Sequence, residues 1–138
     1  MSDNNKEAVR QFYEIIWNQA DKTLIPQLLD EKMSFRGSLG QPQRGHKGFS
    51  MYMDFIHKAL ENYHCKITDI VAEGDKVYAR LHYTGKHRGE LFGYAPTHAK
   101  IKWDGIAAFT FEDGKIVDIW ALGDVQSVTL QLSKYVMD

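Results

Sequence analysis

A lone carboxylate closes the segment Trp120-Ala121-Leu122-Gly123-Asp124, where an apolar strand should turn into the last helix of the chain. A carboxyl group among apolar side chains is costly to ionise, so its pKa should rise. Held half-protonated near neutral pH, it could act as a general acid or base. By strict alternation Trp120, Leu122 and Asp124 share one strand face. If that face is concave, Asp124 sits in a pocket among aromatics. A second reading competes: Asp directly before a helix is a favoured N-cap, and the helix dipole would then lower its pKa. Both roles fit if one oxygen caps and the other faces a cavity.

Other side chains could assist such a group. Arg36, at the end of a short strand, could orient an ester or carboxylate, or pair with a loop carboxylate. His87, at a strand end after Gly85, could hydrogen-bond a substrate oxygen or sit on a surface loop. Trp103 and Trp120 offer flat faces to a polycyclic ligand, or else fill the core or a dimer face. Phe92 is a candidate lid residue, and Tyr13 and Tyr52 are candidate hydroxyls on a pocket wall. His82, His87, His98 and Asp104 match no recognised metal-ligand spacing, so neither metal nor cofactor is expected. His46, His57 and His64 read as solvated.

The positioning elements follow from periodicity. Val9, Phe12, Tyr13, Ile16 and Trp17 make one helical stripe, with Asp3 or Asn4 as its cap. A short helix should follow Thr23 with Pro26 in its first turn, Leu24, Leu28 and Ile25 facing inward. A strand spans Met33 to Arg36, and glycines make Gly37 to Gly48 a loop. A third helix is predicted from about Lys47 to Asn62, burying Phe49, Tyr52, Met53, Ile56, Ala59, Leu60 and Tyr63. Strand signals then dominate. His64–Ala72 and Lys76–Gly85 form a hairpin across Glu73-Gly74-Asp75, with Val77, Ala79, Leu81 and Tyr83 on one face. A loop with a short strand near Leu91 leads to a second hairpin, Lys100–Phe111 with Lys115–Leu122. A helix from Val125 to about Leu132 ends the pattern. Helices first and hairpins after predict an α+β fold: a strongly bent antiparallel sheet wrapped around N-terminal helices, with an interior pocket.

Composition sets the outer limits. A chain of 138 residues, 43% hydrophobic, fits a single domain over 1–138. A net charge of -1 without a dense basic run argues against nucleic acid or anionic membranes as partners. The single cysteine, Cys65, excludes an internal disulfide framework and fits a reducing cytoplasm. The polar start and the lack of a long apolar run read as a soluble cytoplasmic protein. Apolar residues on both strand faces leave a convex sheet face for a homodimer.

The segments Phe35-Arg36-Gly37-Ser38-Leu39-Gly40 and Gly85-Lys86-His87-Arg88-Gly89-Glu90-Leu91-Phe92-Gly93, then Pro96-Thr97, Asp113-Gly114-Lys115-Ile116 and Trp120 to Val125, together resemble the SnoaL-like polyketide cyclases. Their order covers roughly Lys6 to Leu132. The resemblance implies the cone of the NTF2-like, cystatin-like superfamily. It also implies intramolecular aldol closure of a polyketide ester without metal or cofactor, with Asp124 matching the family's acid/base aspartate. Two departures stand out. The family's Pro-Thr-Gly is Pro96-Thr97-His98 here, and Ile119 replaces a His common before the last-strand tryptophan. The expected partner is a small hydrophobic, polyketide-like molecule. Two alternatives are a non-catalytic small-molecule binder and an isomerase-like or epoxide-hydrolase-like enzyme. A cavity too small for fused rings would favour the first. Asp104 beside Asp124 inside the cavity would favour the second.

Overall fold

Six strands and four α-helices make up the computed structural model. It describes residues 2–40 and 42–135, so Met1 lies outside the described residues. Helix α1 (Ser2–Gln11) runs into a π-helical turn, Phe12–Trp17. That turn closes with the Asn18 N–H donating to the Tyr13 carbonyl at 2.8 Å. It buries Phe12, Tyr13, Ile16 and Trp17, the stripe the sequence predicts. Asp3 lies in the first turn of α1 rather than at its cap, where its charge suits the positive helix end.

A 3-10 turn, Lys22–Leu24, capped by the Asp21 side chain, leads into the short α2 (Ile25–Leu28), with Pro26 in its first turn. Ile25 is its buried residue, while Leu24 and Leu28 are only half-buried. Strand β1 (Leu29–Arg36) is longer than predicted, and the glycine-rich loop contains a further short strand, β2 (Pro42–Arg44).

Helix α3 (Gly45–Ala59) ends before Leu60. Leu60 and Tyr63 belong instead to β3 (Leu60–Glu73), yet both are buried. A register shift between Glu61 and His64 explains the coincidence: the bulge turns Tyr63 inward at a spacing that mimics the helix period. β4 (Lys76–His87), β5 (Lys100–Glu112), β6 (Lys115–Gly123) and α4 (Val125–Ser133) follow the predicted order.

The strands pair as β2-β1-β6-β5-β4-β3. β1 and β6 are parallel and the other pairs antiparallel, so the sheet is mixed rather than purely antiparallel. Everything between Arg36 and Lys115 lies in the connection between them, which is ample for the crossover a parallel pair needs. The π-turn and α3 pack inside the curl, with Phe12 against Phe49 and Phe109 at 5.5 and 5.6 Å. Val77, Ala79, Leu81 and Tyr83 all enter this core, as predicted. No helix among the described residues is long and apolar enough to cross a membrane.

Candidate active site

Four of the seven tyrosines converge on one interior cavity, whose wall is formed by Tyr13, Tyr52, Tyr63 and Tyr83 with Ser38 and apolar side chains. Each comes from a different element: the π-turn, α3, the β3 bulge and β4. Trp17 meets Tyr52 and Tyr63 at centroid distances of 6.0 and 5.2 Å, and Tyr83 stacks on Trp103 at 4.9 Å. Its volume is about 20 Å³, room for about one water molecule. Among the described residues no carboxylate or cationic side chain lines it.

Burial governs the chemistry of this wall. It pushes the Tyr52 phenol up to about 12, an effect partly offset by the Leu39 N–H and the Arg36 guanidinium. Desolvation, reinforced by neighbouring phenols and the Cys65 thiol, raises Tyr13, Tyr63 and Tyr83 well above the ordinary phenol value; Ser38 partly offsets this at Tyr83. All four therefore remain neutral hydrogen-bond donors at physiological pH. Cys65 is buried too, and burial pushes its thiol up, away from the reactive thiolate form.

The turn Gly37–Gly40 forms one part of the cavity wall. Gly37, Ser38 and Leu39 line it, the Gly40 N–H donates to the Gly37 carbonyl at 3.0 Å, and the Gly123 N–H donates to the Ser38 carbonyl at 3.1 Å. Gly123 must be small, since a Cβ there would lie 2.8 Å from that carbonyl and 3.1 Å from Trp103 Nε1.

The predicted site residues divide between inside and outside. Tyr13 and Tyr52 line the cavity. Trp103 is 2% exposed and serves as the plate behind Tyr83; among the described residues its buried Nε1 has no hydrogen-bond partner. Trp120 is 46% exposed and Leu122 50%. On β6 it is Ile119 and Ala121 that turn inward, so the face shared by Trp120, Leu122 and Asp124 is the outer one. Asp124 does not sit in an apolar pocket. It is exposed and caps α4, its Oδ1 accepting the Ser127 N–H at 3.0 Å. Asp104 is on the same outer face, bound to His82 at 2.8 Å, and its carbonyl accepts the Asp124 N–H at 2.9 Å. The pairing of Asp104 with Asp124 is thus not inside the cavity.

Among the described residues Arg36 pairs with no carboxylate. It donates to the Ala121 carbonyl, and its guanidinium lies 5.5 Å from the Trp120 ring centroid. His87 is neither on a loop surface nor open to a ligand; it is fully buried where the 88–99 loop folds back on β4. Phe92 is 38% exposed, with a left-handed φ of 51° in that loop, and does not cover the cavity. His46 and His57 are half-buried, bound to the Leu29 and Trp17 carbonyls at 2.8 and 2.9 Å; His64 is exposed.

Sequence reasoning did not assign Tyr63, Tyr83 and Ser38 to the site. The inward parity of Tyr83 on β4 was visible, but four inward tyrosines meet only once the sheet curls.

The fold recurs in known proteins. The family model described as SnoaL-like polyketide cyclase matches residues 7–132. A candidate polyketide cyclase from Bacillus cereus is 30% identical, with a TM-score of 0.77 over 94% of this chain and 80% of that one. A candidate SnoaL-like polyketide cyclase from Jannaschia sp. superposes with a TM-score of 0.86 at 17% identity, covering 96% and 93% of the two chains. A protein of ketosteroid isomerase-like fold from Catenulispora acidiphila, solved with trimethylamine, gives 0.77 at 17% identity over 92% of each chain. A comparison with curated proteins finds no match. With its mixed, curled sheet around π-turn and α3, and with the family pattern matched over nearly its whole length, the chain belongs to the SnoaL-like polyketide cyclase family.

Proposed function

We propose that this protein is a cofactor-independent cyclase-type enzyme that closes a carbon–carbon bond within a small hydrophobic carbonyl or ester substrate by aldol-type acid/base chemistry. One observation carries the reading: the interior wall offers neutral phenol and hydroxyl donors in an apolar shell, with no charged lining group. In an aldol closure negative charge develops first on the enolate oxygen and then on the alkoxide oxygen. Preorganised donors in a water-poor site stabilise such charge without reorganising. An activated β-dicarbonyl substrate loses its carbon proton to water, and the alkoxide takes one proton back, so the count closes without a strong base. Entry of a substrate requires the cavity wall to open, because the cavity holds about one water.

The test is turnover of polyketide-like β-dicarbonyl esters. Tyr83→Phe and Tyr52→Phe should each lower kcat by about 100-fold, the usual cost of one oxyanion donor. Asp124→Asn should change it by no more than a few-fold. The reverse pattern would return the chemistry to Asp124 on the outer face. No turnover with any such ester would leave the second reading, a non-catalytic small-molecule binder, which the small closed volume favours. The isomerase-like and epoxide-hydrolase-like alternative has less support, because such chemistry needs a carboxylate near the substrate.

We also propose a homodimer through the outer face of the sheet. Val71, Tyr78, Ala108 and Trp120 form one row across β3 to β6, and Ile106 lies beside Leu122 in the next. Five of these six are large and exposed, Ala108 being the small one. A contiguous apolar strip of this kind is costly in water, and a twofold axis across it would bury the same strip on both copies.

A further inference from the structure

The outer face of β4 and β5 concentrates positive charge that the fold does not neutralise. Lys86 stands directly opposite Lys100, and Thr84 opposite Lys102. Directly opposed side chains have Cβ atoms about 4.5–5.5 Å apart, and like charges there are destabilising. Lys102 is two residues along from Lys100, on the same face. Three ammonium groups thus share one patch of a chain whose net charge is -1. The carboxylate in that row, Glu61 opposite Lys86, is 3.1 Å from Arg88. The next carboxylate along β5, Asp104, is bound to His82. Among the described residues Lys86, Lys100 and Lys102 enter no ion pair.

These lysines, with Glu61, wall a groove of about 340 Å³, within the range of small-molecule sites. Its floor is the strand backbone at Gly85 and Ile101, the Ile101 side chain being buried on the other face, and the methylene stems of the lysines supply the apolar wall. One fixed polar side chain and the β3 bulge frame it. Gln131 of α4 grips the Lys102 backbone, its Oε1 accepting the N–H at 3.0 Å and its Nε2 donating to the carbonyl at 2.6 Å. Asn62 holds a left-handed φ of 57° in the β3 bulge. None of the groove residues lines the tyrosine cavity.

We propose that this groove binds a small organic anion: a carboxylate or phosphate head on a short apolar body, the head held by Lys86, Lys100 and Lys102. An anion there removes the repulsion that the bare fold carries, and the lysine stems pack along the body.

The experiment titrates octyl phosphate, octanoate, inorganic phosphate and octanol into the full chain, following the backbone amides of Asn62, Lys86, Lys100 and Lys102 by NMR. Saturable shifts with octyl phosphate or octanoate are expected, with the difference between the two identifying the preferred head. Lys100→Gln and Lys102→Gln should each weaken binding by roughly tenfold, the size of one charge-assisted hydrogen bond. Their thermal midpoints should be unchanged or higher than wild type, since like charge has been removed. The proposal fails if no amide saturates, or if the variants bind as well as wild type. It also fails if octanol binds equally well, or if inorganic phosphate alone matches octyl phosphate.

Discussion

His87 and Thr97 are joined twice around one ring nitrogen: the Thr97 N–H donates to His87 Nδ1 at 3.1 Å, and the Thr97 hydroxyl lies 3.0 Å from the same atom. An Nδ1 that accepts carries no proton, so the neutral ring holds its proton on Nε2. Together with the bonds of His87 N–H to the Ala99 carbonyl and His98 N–H to the His87 carbonyl, both 2.8 Å, this clasps the 88–99 loop to the end of β4. Burial, with the nearby His98, lowers the His87 pKa below its ordinary 6.5, partly offset by the Gly89 carbonyl and Glu90.

A depressed histidine pKa means that the unfolded chain takes up the proton first. The contribution of His87 to stability is therefore complete above about pH 6.5 and is lost as pH falls from there through the lowered folded-state value. Thermal midpoints measured from pH 8 to 5 should fall on the acid side. In His87→Gln, whose side chain does not titrate, the acid slope should shrink. An unchanged slope would place the titration elsewhere.

Gly37 presses on Tyr52 so closely that an added Cβ would lie 2.3 Å from the phenol oxygen. Tyr52 has no room to retreat, with Phe35 and Trp17 at 5.2 and 6.0 Å on its flanks. Gly37→Ala should destabilise the fold by about 1–3 kcal/mol, the cost of overpacking a filled core. Urea denaturation would show it as a lower midpoint.

Asp124 can be tested as a cap independently of any catalysis. Removing the acceptor for the Ser127 N–H in Asp124→Ala should cost about 1 kcal/mol. Asp124→Asn should cost little, because Asn caps as well as Asp. Equal losses in the two variants would mean that the charge, not the cap, is what stabilises.

The proposed dimer predicts a concentration-dependent mass in sedimentation. Tyr78→Glu and Trp120→Glu, both on the exposed strip, should each yield a monomer that keeps its thermal midpoint at low protein concentration. A wild-type chain that sediments as a monomer at all concentrations would exclude this use of the face.

Periodicity alone determined the elements and much of the core. The helical stripe of Phe12, Tyr13, Ile16 and Trp17 and the alternation of Val77, Ala79, Leu81 and Tyr83 each have one apolar face, so only one orientation buries them. The family was also legible, because its motifs are local and keep their order. The tertiary structure decided what lay inside β6 and what lay outside. Ile119, Trp120, Ala121 and Leu122 are all apolar, so either parity satisfies the sequence. Pairing with both β1 and β5 turned Ile119 and Ala121 inward and carried Asp124 outward with Trp120 and Leu122. The tyrosine cavity was hidden for a related reason: its four tyrosines are distant in sequence, and one of them, Tyr63, is turned inward by a bulge that no local pattern announces.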